Sequence, residues 1–262
     1  MHKSSPRSHS ESQTLTDSQK QYFNNTGTIM ANASASIVLH SRFDPVSQMT
    51  FSPMTKTSKG SKIVYINMPG PQKQRVRVQT PPMRAVFGLS RFDDANTGTA
   101  SFSLDLSFNG RDENPKLDNF LTRLREMDEH LLDVAHKRSS EWFGKDMSKE
   151  ILSEFHRPSV RDPSDPKYQP TVRLKVTPYS EIYDENKAKV DMEQIVKGST
   201  VRAIIEPSFW LVNKSFGISL RILQLEILSR PEGVNGFAFE DEDDTHMDDE
   251  VGQQPDGQAF LD

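Results

Sequence analysis

Between residues 61 and 230 apolar side chains return at every second position in run after run, and at helical spacing in only one long stretch. That texture restricts the chain to a mainly β architecture with inserted helices. Phe102, Leu104, Leu106 and Phe108 face one way and Ser101, Ser103, Asp105 and Ser107 the other, until Asn109 and Gly110 close the run. Val172, Leu174 and Val176 alternate with Arg173, Lys175 and Thr177, and Arg75-Val76-Arg77-Val78 reads as a half-buried strand with a cationic outer face. Residues 63–68 form a mostly apolar run that stops at Pro69-Gly70-Pro71, as a buried strand meeting a turn does. Val201, Ala203 and Ile205 predict another strand, residues 209–213 a further one, and residues 216–228 a long last one. The apolar phase of that last strand moves from Ile218, Leu220, Ile222 to Leu223, Leu225, Ile227, which predicts a bulge near Ile222.

The single long helical pattern carries Leu117, Phe120, Leu121, Leu124, Leu131 and Val134, with Asn114 as its cap and Pro115 in its first turn. It ends near Gly144, and a shorter helix follows over residues 148–155. Prolines 158, 163, 166 and 170 then punctuate a loop. Three strands, a helical interruption and several more strands predict an OB-fold-like Greek-key barrel at 61–230, with the helical insertion at 115–156.

Charge divides the chain. Residues 232–262 hold eleven of the 37 acidic side chains and no Lys or Arg, so the 32 basic residues leave everything before them at a formal +6. A like-charge block this poor in apolar residues cannot bury enough surface to offset its ordering entropy, so 231–262 is expected to be a disordered acidic tail. Residues 1–60, rich in Ser, Thr, Gln and Asn, are expected to be a disordered N-terminal region. Cysteine is absent, which removes disulfide scaffolds, Cys-ligated zinc and thiol catalysis together. A reducing intracellular setting fits. No apolar run approaches the length of a membrane span, and residues 1–25 lack the apolar middle of a secretion signal.

No nucleophile elbow, phosphate-binding loop or paired-histidine zinc motif occurs, so the expectation is a protein without catalytic residues, metal or cofactor. His130 and His136, six apart on the long helix, lie on different faces. Asp241, Asp243 and Asp248 lack the Gly and terminal Glu of a calcium loop and read as solvated polyanion. Binding an unpaired strand needs less: cations spaced along phosphates, and exposed aromatic faces on which bases stack. Arg75, Arg77, Arg84, Arg91, Arg173, Lys175, Arg202, Lys214 and Arg221 supply the cations. Tyr168, Tyr179, Tyr183, Trp210 and Phe216 lie among them. Phe209 shares a face with Leu211, which places Phe209 in the core and turns Trp210 outward as the stacking candidate, with Tyr179 second. Tyr65, Phe87, Phe102 and Phe108 are assigned to the core.

The block Ile204-Ile205-Glu206-Pro207-Ser208-Phe209-Trp210-Leu211-Val212-Asn213-Lys214-Ser215-Phe216-Gly217-Ile218-Ser219-Leu220, with Gly198-Ser199-Thr200-Val201-Arg202 ahead of it, resembles the C-terminal barrel strands of single-stranded-DNA-binding proteins of large DNA viruses of eukaryotes. These are similar in turn to the single-strand-binding protein of the short-tailed T-odd phages. The resemblance implies an OB-fold protein that coats single-stranded DNA during viral DNA replication, recombination or repair, in the host nucleus or a cytoplasmic viral replication site. It implies a tail, carrying Asp241, Asp243, Asp244, Asp248, Asp249 and Phe260, that competes for the groove and docks replication proteins such as polymerase or helicase, and it allows a homodimer. The phage proteins end on an aromatic residue, whereas here Leu261 and Asp262 follow Phe260. The long N-terminus is extra to the pattern. Charge alone also admits an acidic-tailed chaperone or scaffold for basic proteins such as histones, in which the tail is the active surface.

Overall fold

The computed structural model describes residues 37–56, 62–93 and 100–231. Five strands close a ring: β1 (Met83–Asp93), β2 (Ala100–Ser107), β3 (Thr171–Val176), β4 (Thr200–Val212) and β5 (Ser215–Ser229). β1 pairs antiparallel with β2 and β2 with β3, β3 runs parallel to β5, β5 is antiparallel to β4, and β4 returns to β1 through Thr200↔Arg84 and Val201↔Met83. The order 1-2-3-5-4-1 is the Greek-key ring of an OB-fold barrel. Its interior is filled by alternate residues of each strand, among them Ala85, Leu104, Leu106, Leu174, Val201, Ala203, Ile205 and Leu220, all at or below 2% exposure. Burying one such Leu or Ile is worth about 1.5–3 kcal/mol.

The predicted alternations of β2 and β3 are found as read. β4 differs. The expected strands at 201–205 and 209–213 are one strand of 13 residues that runs through Pro207. Strand Arg77–Gln79 pairs with β4 only at Ile204 and Ile205, so past that point one edge of the ladder is open and a missing N–H is tolerated. The expected bulge is present, where Ile204 pairs with Gln224 and Ile205 with Ile222.

β1 escaped the alternation reading because its pattern is broken. Arg84 and Ala85 pair with Ser107 and Leu106, but the next pair is Leu89 with Leu104, leaving Val86, Phe87 and Gly88 opposite Asp105 alone. Gly88 has φ +72, and a Cβ there would lie 2.8 Å from the Lys197 nitrogen. Only glycine fits. The bulge turns Phe87 outward to 63% exposure, against its expected place in the core. It also lets residues 195–199 lie along β1, where Leu89 N–H donates to Ile195 O and Gly198 N–H to Ala85 O.

Helix α1 (Pro115–Lys137) is capped by Asn114, whose side chain accepts from the Lys116 N–H. Its apolar face closes one end of the barrel, with Phe120 6.2 Å from Phe108. The short helix Ser139–Phe143 ends on left-handed Gly144 and sets Trp142, fully buried, 4.5 Å from Phe209. Helix α2 (Lys149–Phe155) starts on a Ser148 cap.

Folded structure begins before residue 61, with the short strand that Ile37, Val38 and Leu39 allow in the sequence. Strand Ile37–Leu39 runs parallel to Arg77–Gln79, and Phe43 and Met49, expected in a disordered region, are buried in the core. Arg138 Nη1 donates to the carbonyls of Phe51 and Ser52 at 3.0 and 2.9 Å, tying this segment to the helices. Among the described residues no helix is long and apolar enough to cross a membrane.

Candidate nucleic-acid interface

Side chains on the outer face of the ring fall into two sets, divided by whether a carboxylate stands opposite in the ladder. Arg173 and Asp105 are cross-strand partners on β3 and β2, joined by two hydrogen bonds of 2.7 Å, and Asp105 is buried. The pair raises the guanidinium pKa further. Arg221 on β5 donates to Glu206 on β4 at 2.7 Å, with Arg77 3.9 Å from the same carboxylate. Arg202 donates to Glu226 at 2.6 Å. Four cations chosen from sequence are thus already compensated, and a phosphate would have to compete with a fixed carboxylate for each. Lys175 stands beside Arg221 in the parallel register and is exposed.

The second set lies at the end of the barrel nearest the helices. There β3 and β5 are separated by residues 156–161, a strap in which His156–Arg157 pairs with Phe216–Gly217 of β5 and Val160–Arg161 with β3. His156 and Val160 point inward and Arg157 and Arg161 outward. Two runs of register partners therefore cross the outer face, Arg84–Ser107–Thr171–Arg161 on one side of the gap and Arg157–Gly217–Trp210 on the other. Among the described residues Arg84, Arg157 and Arg161 have no carboxylate partner, and Arg157 Nη1 donates to the carbonyls of Glu154 and His156 at 3.0 Å. Lys214, at the tip of the β4–β5 turn where Asn213 and Lys214 both have positive φ, projects its Nζ to 6.0 Å from the Phe155 ring.

Trp210 is half-buried on this outer face, while Phe209 points into the core at 6% exposure. The indole lies against Gly217, where a Cβ would meet Trp210 Cζ2 at 3.1 Å and the Arg157 carbonyl oxygen at 2.5 Å. At the other end of the band, Arg84, Ser107, Asn109, Lys167, Tyr168 and Lys197 line an open cavity of about 340 Å³. Tyr168 is 60% exposed, with Lys167 Nζ 4.9 Å from its ring centre. The strap is fixed from below by Asp128 of α1, whose Oδ2 accepts from both the N–H and the Oγ–H of Ser159 at 2.8 Å.

Other expected site residues are dispersed. Tyr179, 86% exposed, follows the far end of β3 and is not brought beside Trp210. Phe216, counted among the interleaved aromatics, is fully buried. Arg75 stacks on Tyr65, which is 42% exposed and not in the core as expected. Asp241, Asp243, Asp244, Asp248, Asp249 and Phe260 lie outside the described residues. Arg157, Arg161, Lys167 and Lys197 were not among the sequence-level candidates. The only signal for Arg157 and Arg161 was their place beside His156 and Val160 at the start of a proline-rich loop, and the sequence patterns held none for Lys167 or Lys197.

Ring and band together define an OB-fold β-barrel protein with an uncompensated cationic surface around a half-exposed tryptophan. The chain belongs to a family of unknown function, DUF5871, whose profile matches residues 105–241. No curated protein sequence matches it. Among solved structures it is similar to the single-stranded DNA-binding protein of bacteriophage Enc34 in complex with ssDNA, at 10% identity and a TM-score of 0.42, over 69% of this chain and 97% of that one. It is also similar to gp2.5, a single-stranded DNA-binding protein encoded by bacteriophage T7, at 11% identity and a TM-score of 0.43, over 63% and 98%. The fold assignment here stands on the strand ring itself.

Proposed function

We propose that this protein binds single-stranded DNA without sequence preference, along the band that crosses the helix-proximal end of the barrel. Arg84, Arg161, Arg157 and Lys214 meet successive phosphates and Trp210 offers a face on which an unpaired base stacks. The observation that carries this reading is the division of the cations: Arg77, Arg173, Arg202 and Arg221 face carboxylates, whereas among the described residues Arg84, Arg157, Arg161 and Lys214 form no ion pair. Phosphates provide most of the affinity of such surfaces, and base stacking adds about 1–3 kcal/mol per base without reading sequence. Lys175 and Tyr179 lie where a longer strand continues over the far end of β3. The barrel face without catalytic motifs suits coating of exposed strands in viral DNA replication, recombination or repair.

The eleven carboxylates of residues 232–262 enter this proposal as an internal competitor for the same cations, freed to dock polymerase or helicase when DNA displaces them. The test is a titration of labelled oligo(dT), and of an RNA homopolymer, with the full chain and with a chain lacking residues 240–262. Binding that saturates with oligonucleotide length and tightens on tail removal supports the reading. No affinity at low salt, with or without the tail, overturns it. Capture of histones in place of oligo(dT) would return the function to the tail alone.

A further inference from the structure

We infer that the segment preceding the barrel adds a nucleotide subsite beyond β4, built from Tyr65 and Arg75; the inference rests on the single-strand reading above. Five strands complete an OB-fold ring, and neither residue belongs to one of them. Residues 62–79 nevertheless lie along the free edge of β4. Strand Arg77–Gln79 continues the β4 ladder through Ile205↔Val78 and Ile204↔Gln79, which brings Arg77 beside Glu206 and within 3.9 Å of its carboxylate. Arg75 is two residues further along and shares the outward face of Arg77, since Val76 and Val78 between and beyond them are buried. Carried on past Ile205↔Val78, the same register would set Arg75 level with Ser208, one outward residue before Trp210. Two residues of strand span about 7 Å, so the Arg75 position is one outward step along the sheet from the indole.

What Arg75 does there differs from the arginines of the barrel. Its guanidinium carbon lies 3.8 Å from the centre of the Tyr65 ring, and no carboxylate pairs with it among the described residues. Tyr65 is anchored to Ser52 by two hydrogen bonds: its N–H donates to Ser52 Oγ at 2.9 Å, and its carbonyl accepts from the Ser52 N–H at 2.9 Å. Arg75 is held too, by its bridge to Asn67 and by the Met68 N–H to Gln74 O bond of 2.7 Å that closes the intervening turn. Stacking a guanidinium on an anchored ring fixes its plane and leaves its N–H edge free for an anion. A flat cation-aromatic stack with a free donor edge matches one nucleotide unit, its phosphate on the Arg75 edge and its base on the exposed surface of the stack. The strand held by Arg84, Arg161, Arg157 and Trp210 thus runs on past β4, and the binding site is longer than the barrel is wide.

The discriminating experiment measures the affinity of the full chain, Arg75→Ala and Tyr65→Ala for oligo(dT) of graded lengths. Tyr65→Phe serves as the conservative variant, and melting curves check that each protein is folded. The expected result is equal affinity of all four proteins for the shortest oligonucleotide that the unaltered chain binds, and a deficit of about fivefold or more for the two alanine variants once the oligonucleotide is long enough to pass Trp210. Tyr65→Phe keeps the long-oligonucleotide affinity, and Arg75→Ala lowers the slope of log affinity against log salt by about 0.7 on long strands only. Equal affinities at every length, or a full deficit already on the shortest strand, overturn the subsite while leaving the single-strand reading intact. An unaltered chain that binds no oligonucleotide overturns that reading first, and the subsite with it.

Discussion

Trp210 lies against the bare Cα of Gly217, its partner across the β4–β5 ladder, so this half-exposed indole is seated by an absent side chain. Gly217→Ala would set a methyl 2.5 Å from the Arg157 carbonyl oxygen and 3.1 Å from the indole. Backbone must yield on one side and the ring on the other. Overpacking of this kind costs about 1–3 kcal/mol. The expected outcome is a lower melting temperature together with weaker oligo(dT) binding, and thermal melts paired with binding isotherms check it.

The two tryptophans report on different places. Trp142 is fully buried beneath Phe209, and Trp210 is half-exposed in the band. Saturating oligo(dT) should quench the emission of the unaltered chain in part, and Trp210→Phe should abolish that quenching while Trp142 continues to emit. Trp210→Ala should weaken binding by about 1–3 kcal/mol, the worth of one stacked base. Quenching that persists without Trp210 would remove the indole from the interface.

Arg173 and Arg157 should part company on mutation. Removing Arg173 leaves Asp105 buried without its two hydrogen bonds, which costs about 1–3 kcal/mol of stability. Removing the exposed Arg157 or Arg161 breaks no ion pair among the described residues and should leave the melting temperature nearly unchanged. Each of those two changes should instead lower the salt slope of binding by about 0.7, the share of one phosphate contact on a single strand. Arg173→Ala, Arg157→Ala and Arg161→Ala compared in melting and salt titration decide the matter.

Asp128 and His156 predict opposing pH dependences. Burial pushes the Asp128 carboxyl from 3.8 up to about 6, against the pull of its Ser159 hydrogen bonds. Burial, with the Arg157 charge second, draws His156 from 6.5 down to about 4. Between pH 3.8 and 6 the folded Asp128 holds a proton that the unfolded chain has released, so its contribution to stability falls as pH rises. Between pH 4 and 6.5 the unfolded His156 holds a proton that the folded form has lost, so its contribution rises. Arg125, Glu129, Lys149 and Asp162 line the same cavity. Relative to the unaltered chain, Asp128→Asn should make the melting temperature climb more steeply with pH across that window, and His156→Gln should make it climb less or decline. Melting curves at half-unit pH steps test both signs.

Where period and packing agree, the fold was legible. Strands β2 and β3 alternate cleanly because one side of each faces the barrel interior, and Asn114 caps its helix as the sequence suggests. β1 was hidden by Gly88, since the bulge puts three residues opposite one and destroys any period of two. Phe43 and Met49 were hidden by shortness: strands and turns of two to four residues hold too few positions to show a pattern. The outward direction of Arg173, Arg202 and Arg221 could be read, but not that Asp105, Glu226 and Glu206 stand opposite them. Register between strands as distant as β2 and β3 is set by tertiary packing and leaves no trace in local spacing. Arg157 and Arg161 were passed over for the same reason, because only the closed ring shows that their loop is part of the wall.

The strap that carries those two arginines is also the stopper of the seam between β3 and β5. Were residues 156–161 to lift away, Phe216 would meet water at the same moment that two cations left the surface. If the band grips a polyanion as proposed, that grip and the closing of the barrel are one equilibrium, and the occupant acts on the molecule as a clasp.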